Sequence, residues 1–164
     1  MYNIPGDLLD AYKTAPEVFT ALLQDCTQER AMAARGGDEG WSVVEVVCHL
    51  RDAEERALER NRQMRDENNP FLPAYDQDAW AKERNYAAAD LREALAAFIN
   101  FREQHCADLA ALSPEQWERQ GRHEEMGDIT ISSQVIHLVS HDTQHAAQIA
   151  RQFWKCGSCP RRRR

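Results

Sequence analysis

No stretch of this 164-residue sequence stays apolar long enough to cross a membrane, because charged residues interrupt the hydrophobic positions every few residues. A spanning helix needs about 20 apolar residues in succession. Excess positive charge is also missing. The net charge of −7 is the wrong sign for a protein whose main partner is a polyanion, so no nucleic-acid partner is expected. The run Arg161–Arg164 reads as a solvated tail. Glycines number only 7 and strand-like alternation is weak throughout, which leaves helical folds. The five cysteines are odd in number and lack the spacing of a disulfide framework, so a reducing, cytoplasmic setting is expected. Cys26, Cys48 and Cys106 fall on apolar or boundary positions of predicted helices, as small core fillers do. Cys156-Gly157-Ser158-Cys159 has neither a second pair nor a βαβ context and is read as part of the tail. Met1-Tyr2-Asn3-Ile4-Pro5 has neither a basic start nor an apolar run, so no signal peptide is expected.

Helical periodicity is abundant. The first apolar stripe (Leu8, Leu9, Tyr12, Phe19, Leu22, Leu23) predicts a helix over 6–34, kinked or split at Pro16. Ser42 and Glu45 have the spacing of a capping box, with Trp41 in the staple position facing Val46. They open a second helix that runs to about Glu67. Asn68 to Pro73 stops it, and an apolar crossover with a short helix near 76–84 follows. A third helix covers about 89–112. Ser113-Pro114 starts a short segment, 121–127 reads as a polar loop, and a fourth helix covers about 130–154. The fold class is therefore all-α: an antiparallel four-helix bundle with a long crossover between helices two and three. It forms one domain over 1–155, with a flexible tail over 156–164. Exposed apolar faces on a bundle of this size are compatible with a homodimer. Trp80, Trp117, Trp154 and Tyr86 are assigned to core and crossover packing.

On the fourth helix, His141 and His145 are one turn apart and can share one metal ion. Ile131, Val135, Leu138, Ala146, Ile149 and Phe153 form its core face at about 100° per residue. His145 borders that face and His141 lies about 40° further round. His137 turns toward water and is excluded as a ligand. The pattern His141-Asp142-x-x-His145 has Asp where a zincin has Glu, which argues against a protease. A third ligand must come from another helix, and His49 sits on the buried side of helix two between Val46 and Ala53. Glu45 and Asp52 lie one turn before and after it. With Asp142 they are the candidate bases or ligand-orienting carboxylates, and Asp142 is expected to accept a hydrogen bond from the free ring N–H of His49 or another ligand. Asp52 pairing with Arg56 along its own helix, and Glu45 as a cap, are the structural alternatives. His105 reads as a boundary histidine, and His123, in the predicted loop, carries no signal.

The two segments Trp41-Ser42-x-x-Glu45-x-x-x-His49-Leu50-x-Asp52 and His141-Asp142-x-x-His145-x-x-Gln148 resemble the DinB/YfiT-like superfamily. The resemblance covers nearly the whole chain. It implies a small bundle with a three-histidine metal site, ligated at His49, His141 and His145. Some members are thiol S-transferases using low-molecular-weight thiols, and many are called metal-dependent hydrolases. Three neutral histidines leave an open coordination position, as catalytic sites do. Zn²⁺ suits them best, with Ni²⁺, Mn²⁺ or Fe²⁺ also able to bind. The expected function is hydrolysis or thiol transfer on a small-molecule substrate, through metal-bound water or thiolate. The alternative is a non-catalytic metal-binding module for stress response or sensing. A fourth protein ligand such as His105 would favour that alternative.

Overall fold

A computed structural model describes residues 4–37 and 40–155. The chain begins with three short helices: α1 (Ile4–Lys13), α2 (Ala15–Leu23) and α3 (Gln28–Ala33). Pro16 stands in the first turn of α2, where its missing N–H leaves no bond unmade, so the predicted first helix breaks there. Thr27 accepts a hydrogen bond from the Arg30 amide and caps α3. Strands β1 (Arg35–Gly36) and β2 (Trp41–Ser42) pair antiparallel and lead into α4 (Val43–Asp66). The predicted capping box is present: Ser42 Oγ accepts from the Glu45 amide and Glu45 accepts from the Ser42 amide.

The crossover contains β3 (Phe71–Leu72), α5 (Gln77–Glu83) and a 3₁₀ turn (Tyr86–Ala88). Helix α6 (Leu91–Ala110) follows, then the single turn α7 (Pro114–Trp117). Strands β4 (Gln120–His123) and β5 (Gly127–Thr130) precede α8 (Ile131–Lys155). The four layers of the bundle are α1 with α2, α4, α6 and α8, packed as an antiparallel four-helix bundle.

The predicted loop at 121–127 is instead a hairpin, β4–β5, to which β3 adds in parallel. Its buried positions are Gly121 and His123, not large apolar residues, so the alternation is invisible in a hydrophobicity pattern. A Cβ on Gly121 would stand 2.7 Å from Leu72 and 2.8 Å from Met64, which is why glycine is needed there. Trp154 also departs from expectation. It is 81 % exposed because it lies about 140° round the helix from buried Ile149. Trp117 and Tyr86 are buried as expected, as are Cys26, Cys48 and Cys106. Cys156, Cys159 and Arg161–Arg164 lie outside the described residues. No described helix is long and apolar enough to cross a membrane.

Two apolar clusters make the core. One gathers Phe19, Leu23, Val43, Val47, Phe98 and Ile149; the other gathers Leu9, Met64, Leu72, Leu109, Ile131 and Val135. Between them, along α4, α6 and α8, the buried residues turn polar: Asp52 and Glu54, Arg102 and His105, and Asp142. The candidate site lies at this polar level.

Candidate metal centre

The capping box starts α4 at a defined residue, so His49 sits about two turns into the helix on its buried side. Trp41 packs against the His49 ring with centroids 5.2 Å apart. The Trp41 carbonyl accepts a hydrogen bond from Gln152 of α8 at 3.0 Å, tying the start of α4 to the last helix. These contacts hold His49 opposite His141 and His145. The Nε2 atoms of His49 and His141 are 2.9 Å apart, and those of His145 and His141 3.1 Å. One ligand nitrogen from each of the three rings lies within 4.8 Å of the others, and among the described residues no further His, Cys, Asp or Glu joins the group.

The Nδ1–H of His145 donates to the Gln148 side-chain oxygen at 2.7 Å. That bond places its proton on Nδ1 and leaves the Nε2 lone pair facing His141. Burial pushes the His49 imidazole down to about 4, helped by His145 and opposed by Asp52. Burial, with His145 and His49 beside it, holds His141 well below the ordinary histidine range. These two rings are therefore neutral at pH 7 and present lone pairs. Nitrogens sharing a tetrahedral zinc at 2.0–2.1 Å stand roughly 3.3 Å apart. The observed separations are within a few tenths of that value, so the donor set fits a metal ion.

The carboxylates singled out in the sequence are held elsewhere. Glu45 accepts from the Ser42 amide at 2.7 Å and from Arg35 at 3.0 Å, which is its capping role. Asp52 is fully buried and binds Arg51 at 2.6 Å, Arg84 at 3.1 Å and the Tyr86 hydroxyl at 2.5 Å. Its partners are therefore Arg51, Arg84 and Tyr86 and not Arg56, which pairs with Glu59. Asp142 binds Arg102 at 2.8 Å and not a ligand ring. Burial pushes Asp142 up to about 6, an effect that Arg102 partly offsets.

Arg102 joins four helices. It donates to Glu54 and Asp142 at 2.8 Å each and to the Tyr12 carbonyl at 2.8 Å, with its guanidinium 3.6 Å from the centre of the Tyr12 ring. Glu54 also receives the Tyr12 hydroxyl at 2.7 Å and His105 Nδ1 at 2.8 Å, while His105 Nε2 meets Asn61 at 2.5 Å. Burial alone would raise the Glu54 carboxyl, but Arg102 and His105 outweigh it and hold it down to about 2. The sequence contained a sign of this network: Arg102 and His105 lie on the apolar stripe of helix three, four residues after Phe98 and four before Leu109 respectively.

A cavity of about 460 Å³ runs beside the triad. His141 lines it, as do His137, His123, Arg60 and Tyr75. His137 is exposed, with its ring centroid 6.1 Å from that of His141.

The sequence profile of the DinB superfamily matches residues 11–149. The chain belongs to the DinB superfamily. Among curated relatives, "Putative metal-dependent hydrolase OB0782" of Oceanobacillus iheyensis is 31 % identical over 110 residues, 67 % of this chain and 63 % of that protein. "Putative metal-dependent hydrolase YfiT" of Bacillus subtilis is 29 % identical over 113 residues, 68 % of this chain and 64 % of the relative. The chain thus spans a little under two thirds of the length of these relatives. The solved YfiT structure superposes with a TM-score of 0.87 at 23 % identity, covering 96 % of this chain and 90 % of that one. This likeness establishes the four-helix bundle. Within this DinB bundle, His49 comes from α4 and His141 and His145 from α8, while α6 supplies the arginine that anchors the middle of α8.

Proposed function

We propose that this chain is a metal-dependent enzyme in which His49, His141 and His145 hold one divalent cation, most suitably Zn²⁺, and that it acts on a small molecule by hydrolysis or thiol transfer. The carrying observation is the convergence of three Nε2 atoms, without a fourth described ligand, beside a cavity that His141 itself lines. His105 cannot close the shell while it is committed to Glu54 and Asn61. An open set of this kind supports catalysis over a sealed structural role. When bound, the cation supplies Lewis acidity that makes a water or thiol nucleophilic near neutral pH.

The protein's own groups supply the rest. Gln148 fixes the tautomer of His145, and Trp41 sets the tilt of the His49 ring. Asp142, locked to Arg102, anchors the turn of α8 between the two ligands. None of Glu45, Asp52 and Asp142 lines this cavity, whereas His137 does and would serve there as the proton acceptor. The names of the relatives support a hydrolase reading, and the three-histidine set suits a thiol equally.

The test begins with metal analysis of tag-free protein after loading with Zn²⁺, Ni²⁺, Mn²⁺ or Fe²⁺. One equivalent is expected in the wild type and in His137→Ala, and none in His49→Ala, His141→Ala or His145→Ala. Equal metal in His145→Ala would sink the proposal. Turnover of model esters and of thiol–electrophile pairs by the loaded protein then separates hydrolysis from thiol transfer.

A further inference from the structure

Arg60 is a buried cation with no carboxylate in ion-pair contact; Glu125 and Glu59 act on it only from a distance. It is 9 % exposed, and its one hydrogen bond among the described residues goes to the Pro73 carbonyl at 2.5 Å. Among the described residues, no carboxylate oxygen lies within 4.0 Å of its guanidinium. Glu59 pairs with Arg56, and Glu125 on the same cavity wall is exposed. Burying a charge without a counter-charge is costly, so such a group is normally paired. Arg60 and His141 line one cavity, and Ala53 and Ala57 lie between them on its wall. The cavity is also bounded by Tyr75, whose ring is stacked on Trp80 at 4.4 Å. His123 lines it too, and its Nδ1 accepts two backbone amides, from Glu125 at 3.2 Å and Met126 at 3.3 Å. Those bonds leave the ring proton on Nε2, as a second donor.

We infer that this cavity is an elongated substrate groove whose far end, at Arg60 and His123, binds the anionic group of the substrate, a carboxylate or phosphate. The reacting end lies at the histidine triad and rests on the metal-dependent reading; the anion subsite does not. Arg60 is eleven residues beyond His49 on α4, roughly 16 Å along the axis at 1.5 Å per residue. Both side chains lean toward the N-terminus of α4, the longer arginine somewhat further, so the span is at most about this axial rise. At about 3.5 Å per unit that is fewer than five extended peptide units, a length a small-molecule cavity of 460 Å³ accommodates. The alanine wall suits an apolar or peptide-like spacer. The substrate class is therefore an anionic small molecule with its reactive group at the opposite end from its charge.

The test titrates ¹⁵N-labelled full-length protein, zinc-loaded and EDTA-treated, with hexanoate, hexyl phosphate and hexanol. Amide shifts at Ala57, Tyr75 and His123 report binding. At least one of the two anions is expected to bind about 10- to 100-fold more tightly than hexanol, the range for a charge-assisted hydrogen-bonded contact. The tighter anion identifies the headgroup. Arg60→Gln is expected to abolish the advantage and Arg60→Lys to keep part of it, with unchanged amide dispersion showing that both variants fold. Equal binding of hexanol and both anions to the native protein would overturn the inference, as would an advantage that survives Arg60→Gln. The anion preference is expected in the EDTA-treated protein as well, so absence of metal binding would refute the triad reading alone and absence of anion preference the subsite alone.

Discussion

Replacing Arg102 by methionine keeps most of the length and apolar stem of the side chain and removes its charge. In the native protein that charge faces Glu54 and Asp142 at 2.8 Å each, and the three residues are 1 %, 1 % and 6 % exposed. Removing one member of a buried ionic group leaves the others desolvated and uncompensated, at a cost of about 3–5 kcal/mol. Against a total stability of about 5–15 kcal/mol for a domain of this kind, that is a large fraction. With a urea m-value of about 2 kcal/mol/M, a loss near 4 kcal/mol lowers the midpoint by about 2 M. The pH dependence is diagnostic. Without Arg102 nothing opposes the burial of Asp142, so its folded pKa rises further above its unfolded one, while Glu54 keeps His105. A raised carboxyl destabilises the fold above that folded pKa and is relieved as the pH falls toward the unfolded value. The deficit of Arg102→Met relative to wild type should therefore be largest at pH 8 and smaller at pH 5. Urea unfolding followed by far-UV circular dichroism at both pH values measures it. A midpoint shift below about 0.5 M at pH 8 would refute the reasoning, as would an equal deficit at both pH values, since either would mean the carboxylates are not sustained by this arginine.

Glu54 gives a second pH signature. Its folded pKa of about 2 lies below the ordinary value of 4.5, so its contribution is present above pH 4.5 and is lost as the pH falls toward 2. The urea-midpoint gap between wild type and Glu54→Gln should close over that window; a constant gap would contradict it. Gly121→Ala drives a methyl into Leu72 and Met64 and should cost about 1–3 kcal/mol in thermal or urea unfolding, while metal stoichiometry stays at the wild-type value. Ser42→Ala removes one half of the capping box and should lower stability by about 0.5–2 kcal/mol in the same assay.

The polar level at mid-bundle explains why α8 can carry both ligands and a buried acid. His141 and His145 face α4, while Asp142, about 100° from His141, faces Arg102 on α6. One turn of one helix thus serves two neighbours.

Local chemistry was legible in the residues themselves. The Ser42–Glu45 capping box, the Ser113-Pro114 start and the 3.6-residue stripes depend on neighbours within a turn or two, and they place α4, α6, α7 and α8 to within two or three residues. The same periodicity put His49, His141 and His145 on buried or boundary faces and His137 outside, since face is a property of spacing. What depends on distances between helices was not legible. The identity of the partners of Asp52 and Asp142, the closing of Arg102 on Glu54, the seating of Gly121 against Leu72 and Met64, and the role of His123 all require knowing which faces meet. A hydrophobicity pattern marks a residue as facing inward without saying what it meets there. The sequence therefore determined the helices and which histidines could point toward one another. Only the tertiary structure decided that their Nε2 atoms converge, that the nearby acids are already engaged, and that a cavity leads from the triad to a buried arginine, because these are relations between groups up to about a hundred residues apart that only packing brings together.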